Sequence, residues 1–264
     1  VEDGRLYGLG SNDDGARVVA LLQVFRMLNH TKQAYNLVFS ASCEEEVSGK
    51  HGFGLLLNEL PQIHVAIVGE PTEMQPAVAE KGLMVLDITA YGKPGHAARD
   101  EGENALYKAL DDINWIREYQ FPEVSPMLGS VKMTATMIQA GTQHNVIPDQ
   151  CNFVVDVRSN ELYSNQDIYD KVCEHVKSEV KARSFRLNSS RIDIGHPLVQ
   201  RALKLGRVAF GSSTVSNQTL MPFPSLKMGP GHSSRSHTAN EYVKISEIAE
   251  AICIYMQLLD GLVL

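Results

Sequence analysis

Four short stretches of this sequence carry side chains that can hold divalent cations or move protons. They are Asp13 in Gly10-Ser11-Asn12-Asp13, the run Glu44-Glu45-Glu46, Glu70 in Gly69-Glu70-Pro71-Thr72, and His237 in Ser236-His237-Thr238. Carboxylates combined with an imidazole suit a hydrolytic pair of divalent metals, which polarise the substrate and turn water into a nucleophile. Such a pair needs about one more ligand than these stretches supply. The chemistry requires no serine or cysteine nucleophile, and the chain has neither a G-x-S-x-G elbow nor a phosphate-cradling G-x-x-x-x-G-K-[ST] loop.

Each group also has a plainer reading. An Asp near a helix start is a common N-cap, which would account for Asp13. Three consecutive acids can be a solvated run, although here an apolar segment delivers them with no Lys beside them. Glu70 can be a surface acid before a turn-forming Pro, and a lone His is usually a surface or core residue. His232, in the loop Gly229-Pro230-Gly231-His232, competes with His237. Adjacent side chains on an extended segment point opposite ways, so two of the three Glu reach one site only if the chain turns there. Gly49 and Gly52 supply that freedom, and the working pair is Glu45-Glu46 or Glu44-Glu45.

These groups must be carried by elements that bring them together. Val18 to Leu28 repeats apolar residues at helical spacing directly after the Gly10–Gly15 turn. Asn36-Leu37-Val38-Phe39-Ser40 reads as a buried strand leading into the acidic run. Phe53 to Leu60 reads as a helix ended by Pro61, and Val65-Ala66-Ile67-Val68 as a strand emptying into Glu70. Strands alternating with helices imply a mainly parallel sheet, whose sites collect at the carboxyl ends of the strands.

The middle of the chain has another rhythm. Leu83–Tyr91 is an expected strand, Asn104–Tyr119 a helix, Val131–Ala140 and Asn152–Arg158 strands, Asn165–Arg183 a helix and Phe185–Ile194 a last strand. The order β-α-β-β-α-β is a ferredoxin-like sandwich in its own right. The first pattern then resumes, with a helix from Leu198 to Phe210, a short strand over Phe223–Met228 and a closing helix over Ile245–Leu259. The expectation is an α/β catalytic domain built from 1–80 and 196–264, interrupted by an inserted domain over 81–195.

Bulk properties narrow the function class. The chain has 264 residues, 44% hydrophobic and 21% charged, enough to bury a real core. A net charge of -7 argues against a general nucleic-acid binder, and no apolar run approaches the length of a membrane span. The start, Val1-Glu2-Asp3-Gly4-Arg5, has no signal-peptide pattern and no initiator Met, which fits a cytoplasmic protein or a chain missing its natural start. The four cysteines, Cys43, Cys151, Cys173 and Cys253, are far apart with no C-x-x-C, as expected of reduced, mostly buried thiols. Cys43, just before the acidic run, remains an alternative metal ligand.

Six stretches, in order along the chain, resemble the M20 family of metallopeptidases and deacylases: Gly4-Arg5-Leu6-Tyr7-Gly8-Leu9-Gly10-Ser11-Asn12-Asp13, Glu45-Glu46-Val47, Val68-Gly69-Glu70-Pro71-Thr72, Gly95-His96-Ala97-Ala98, Gly141-Thr142-Gln143-His144-Asn145-Val146-Ile147-Pro148, and Ser236-His237-Thr238-Ala239-Asn240-Glu241-Tyr242. The nearest resemblance is to the acetylornithine deacetylase-like branch, which acts on N-acyl amino acids of arginine synthesis. The resemblance implies two divalent metal ions, zinc or cobalt with manganese as a third option. Asp13 would bridge them, Glu46, Glu70 and His237 would ligate them, and Glu45 would act as general base. It implies that the inserted domain is a lid and homodimer face. His96 would stabilise the oxyanion in the partner subunit's site, and Asn145 and Arg158 would contact a substrate carboxylate. Arg158 suits that task because its fork matches a carboxylate, and its plainer reading is a surface ion pair.

One family motif is missing. The resemblance implies a His-x-Asp upstream of Gly4, yet none of the nine histidines precedes Asp13. The sequence therefore reads as the greater part of a dimetal amidohydrolase, one ligand short and expected to be inactive by itself. Alternatives are a dipeptidase or carboxypeptidase of the same family, or a non-catalytic dimeric binding protein. In every case the expected partner is a small molecule, with no nucleic acid or membrane involved.

Overall fold

Two stretches far apart in sequence, Val1–Glu80 and Ser190–Leu264, fold together in the computed structural model, while Lys81–Ser189 between them forms a unit of its own. The structure describes residues 1–47, 49 and 51–264.

The first unit opens with strand β1 (Arg5–Tyr7) and an irregular turn over Ser11–Gly15. Helix α1 (Ala16–Leu28) follows and buries Ala16, Ala20, Val24 and Leu28, one residue per turn on a single face. After the short helix α2 (Phe53–Leu56) come strands β2 (Ala66–Val68) and β3 (Ala77–Glu80). The strand expected over 36–40 forms no ladder. That stretch does alternate, with Tyr35 and Leu37 packed on the core and Phe39 against Phe25 at 6.0 Å, but it pairs with no strand among the described residues. It borders an apolar cavity of about 780 Å³ that Leu21, Phe53, Ile63 and Phe223 help to line.

The second unit runs β4 (Met84–Tyr91), β5 (Gly95–His96), α3 (Ala105–Glu118), β6 (Lys132–Ala140), β7 (Val146–Ile147), β8 (Gln150–Arg158), α4 (Asn165–His175) and β9 (Glu179–Ala182). Its sheet is antiparallel in the order β6-β8-β4-β9. Alternate residues of β4, Met84, Leu86, Ile88 and Ala90, are buried and cluster with Ala105, Ala109 and Ile116 of α3 and Ile168 and Val172 of α4. Asn104 caps α3 and a Ser164–Asp167 capping box starts α4. The expected order of elements is present, but α4 ends at His175 instead of Arg183, and the closing strand is Glu179–Ala182 rather than Phe185–Ile194. The cause is Asp112, nearly buried, whose carboxylate accepts the Lys177 and Ser178 N–H groups at 3.1 Å and turns the chain back toward β4.

The chain re-enters the first unit at Ser190, six residues before the expected 196, because β10 (Ser190–Arg191) pairs antiparallel with β3. Helix α5 (Pro197–Lys204) stops short of Phe210, which instead opens β11 (Phe210–Ser212), parallel to β3. Strand β12 (Ser225–Lys227) lies parallel to β2 and antiparallel to β3, so the sheet is mixed. Last come β13 (Tyr242–Lys244), antiparallel to β1, and α6 (Ile245–Leu259). The core joins Ala20, Val24 and Leu28 of α1 to Ala251, Tyr255 and Leu258 of α6. Each large side chain there contributes roughly 1.5–3 kcal/mol of burial free energy. All four cysteines are unpaired, and only Cys151 is buried, contrary to the expectation for the other three.

Candidate metal centre

The Asp13 turn is fixed from the far end of the sequence. Glu241 accepts the Asn12 and Asp13 N–H groups, both at 2.8 Å. The wholly buried Asn12 donates through Nδ2 to the His232 carbonyl at 3.2 Å and to Ser236 Oγ at 3.0 Å. The turn that carries Asp13 is thereby pinned to the loop that carries His237. Asp13 does not cap α1, which has no side-chain cap. Instead Asp13 Oδ1 accepts from Arg17 Nη2 at 2.5 Å, while the same guanidinium pairs with Asp14 and donates to the Asn12 carbonyl. Arg17 is fully buried, and these partners satisfy its charge.

His237 Nε2 lies 3.8 Å from Asp13 Oδ2 and 3.8 Å from Glu46 Oε2. Asp13, Glu46 and His237 each present one donor atom, all within 4.8 Å of one another. Glu44 is turned elsewhere: its backbone is left-handed, and its carboxylate accepts the His51 N–H at 3.1 Å. This turn, with the Gly49 N–H on the Glu44 carbonyl, is what lets neighbouring Glu residues leave in different directions. Glu45 is half-buried, and its carboxyl is pushed up to about 7, first by burial and then by Glu46, Asp14 and Asp13, with Arg17 opposing. Glu70 follows β2 and is pushed up to about 8 by burial, with Lys227 and Arg17 opposing and Asp14 and Glu45 adding. Glu70 stands outside the three-donor group but inside the same electrostatic field. His232 instead takes the Ser234 N–H on Nδ1 and faces Glu73 at 3.5 Å.

Two carboxylate oxygens and an imidazole nitrogen converging from three separate segments form a donor set suited to one zinc-like divalent cation. Glu45 beside them is poised between its two protonation states near neutral pH, as a proton carrier requires.

The remaining candidates lie in the second unit. His96 and Asn145 are neighbours: β5 pairs with β7, and the Ala97 N–H donates to the Asn145 carbonyl at 2.9 Å. His96 Nδ1 accepts the Ala98 N–H at 3.1 Å, which leaves the ring proton on Nε2 as an outward donor. Arg158 spends its fork on Asp156, at 2.7 and 3.0 Å, which is the ion pair of its plainer reading.

Sequence reasoning missed Arg17, Glu241 and the pair Lys227–Glu80. Arg17 had a signal, since it sits four residues after Asp13 on a helix. Lys227, the one charged residue in its strand, had one too; it is buried against Glu80 at 2.8 Å, and Ser216 donates twice to that carboxylate. Glu241 had none, because its task is backbone capture across the chain.

Residues 78–184 match the M20 peptidase dimerisation domain. Over 98% of its length, and 75% of the relative's, the chain is 26% identical to a succinyl-diaminopimelate desuccinylase of Corynebacterium glutamicum. It is 27% identical to an acetylornithine deacetylase of Photorhabdus laumondii, over 98% of this chain and 72% of that one. A tripeptidase of Staphylococcus aureus has a similar solved fold, with a TM-score of 0.74, 19% identity, and coverage of 98% of this chain and 74% of that one.

Proposed function

We propose that the chain is a metal-dependent amidohydrolase of the M20 family, and that it cleaves an N-acyl amino acid, of the N-acetylornithine, N-acetylcitrulline or N-succinylornithine type, to the free acid and the amine. The observation that carries this reading is the convergence of Asp13, Glu46 and His237 on one point with the half-buried Glu45 beside it. Zinc or cobalt fits the donors, manganese less closely, and such a cation would polarise the amide carbonyl and acidify a water. Asp13, Glu46 and His237 would hold it, and Glu70 would serve as a further ligand. Glu45 takes the proton from the attacking water and delivers it to the leaving nitrogen. His96, with its proton on Nε2, donates to the oxyanion formed at the former carbonyl, and the resemblance puts that act in a partner subunit's site. Asn145 and Arg158 receive the substrate carboxylate, Arg158 after exchanging Asp156 for it. The working form in this reading is a cytoplasmic homodimer joined through the 81–189 unit, serving arginine synthesis. Among the described residues no helix is long and apolar enough to cross a membrane.

The test is amine release from the three N-acyl amino acids and from a dipeptide panel, with and without added Zn²⁺ or Co²⁺. Metal-dependent cleavage of an N-acyl amino acid supports the proposal. Cleavage of dipeptides alone assigns the peptidase alternative, and a protein that binds no metal and cleaves nothing leaves the binding-protein alternative.

A further inference from the structure

Asp13 has two oxygens and they face different partners. Oδ2 is turned toward His237 at 3.8 Å, among the donors that converge for a cation. Oδ1 is held by Arg17 Nη2 at 2.5 Å. A carboxylate that bridges two cations needs both oxygens, and here one of them already has a cation of the protein's own. Glu70, the natural ligand for a second ion, is not among the three converging donors and has two buried cations, Arg17 and Lys227, in its field.

Arg17 is not free to leave. It is fully buried, its Nη1 donates to the Asn12 carbonyl at 2.5 Å and its Nε pairs with Asp14. The surrounding backbone is built close against it: a Cβ on Gly69 would come within 2.9 Å of Arg17 Cβ, and one on Gly229 within 2.7 Å of Arg17 Cδ. Swinging the guanidinium out would strand Asp14 and the Asn12 carbonyl in a buried site, which is strongly unfavourable.

Resting on the metal-centre reading above, we infer that Arg17 stands in for the second cation. The chain then loads metal in two widely separated steps, one tight ion at Asp13, Glu46 and His237 and a second ion held only weakly. Repulsion between like charges a few ångströms apart in a partly buried site makes the second step weaker by roughly 100-fold. Arg17 is a positioning residue here, acting through Asp13.

The test is Co²⁺ titration of the metal-free 264-residue chain, followed by d–d absorption and calorimetry, for the wild type, Arg17→Gln and Arg17→Lys. The expected wild-type result is one tight equivalent and a second about 100-fold weaker. Arg17→Gln tightens the second step by about tenfold or more, whereas Arg17→Lys, which keeps the charge, preserves the separation. Circular dichroism checks that each variant is folded. If Arg17→Gln does not fold, Arg17→Met takes its place with the same expectation, and two wild-type ions of equal affinity overturn the inference in any case. A folded Arg17→Gln with the wild-type separation also overturns it. Two equal ions would leave the proposed function standing, while the lack of any tight ion would overturn both.

Discussion

Asn12 Nδ2 donates to Ser236 Oγ at 3.0 Å across 224 residues of sequence, locking the turn that bears Asp13 to the residue immediately before His237. Two candidate ligands from distant parts of the chain thus share one side-chain hydrogen bond as their alignment. Such supporting bonds around metal ligands are typically worth 10–100-fold in affinity. Asn12→Ala is expected to weaken Co²⁺ binding by roughly that factor and to cost about 1–3 kcal/mol of stability from the polar groups it leaves unpaired. Metal titration and urea melts of the variant check both numbers.

Glu45→Gln keeps the size and polarity of the side chain but removes the proton carrier. The expected result is a fall in kcat of roughly 10²–10⁴-fold, with metal content unchanged and KM little altered. Steady-state kinetics paired with metal analysis separates this from loss of the metal. Equal loss of metal and activity would make Glu45 a ligand instead.

Chelator-treated protein should respond to pH through Glu70. Its folded pKa, about 8, lies above the ordinary 4.5, so the folded state binds the extra proton. Stability is then fully present below pH 4.5 and is lost as pH rises through 8, because between those limits the unfolded chain holds fewer protons. Denaturant melts across that range should show the decline, and Glu70→Gln should flatten it. Glu45, at about 7, adds a decline ending one unit lower. Metal uptake by the same protein should release protons below pH 8, and calorimetry in buffers of different ionisation enthalpy measures that release.

Lys227 and Glu80 form a fully buried pair 2.8 Å apart, with Thr214 accepting a further hydrogen bond from Lys227. Lys227→Met strands the carboxylate and should cost roughly 3–5 kcal/mol. Lys227→Met combined with Glu80→Gln should recover much of it, which a double-mutant cycle in urea would show.

The division of labour between sequence and structure is instructive at particular residues. The amphipathic pattern placed α1, α3 and α6 well because their buried faces repeat once per turn, and the motifs around Asp13, Glu46 and His237 pointed to one site. What pattern could not supply was long-range. Asn36–Ser40 has the alternation of a strand but pairs with no strand among the described residues, and pairing is not a local property. The end of α4 is dictated by Asp112, over 60 residues away, and the hold on Asp13 by Glu241. The choice between Glu44 and Glu46 depends on one left-handed residue that no periodicity reveals.

The antiparallel pairing of β1 with β13 joins Arg5–Tyr7 to Tyr242–Lys244, so the first strand has its partner only near the end of the chain. On a ribosome this sets an order of events. The continuous stretch Lys81–Ser189 has its own core and can close while the rest is still being made. Asp13 and Arg17 leave the tunnel before the insert yet wait for Asn12's partners, Ser236 and Glu241, to emerge. Metal-binding competence therefore waits for His237 and Glu241, and a nascent chain stalled before His237 would carry a finished insert and an unfinished metal centre.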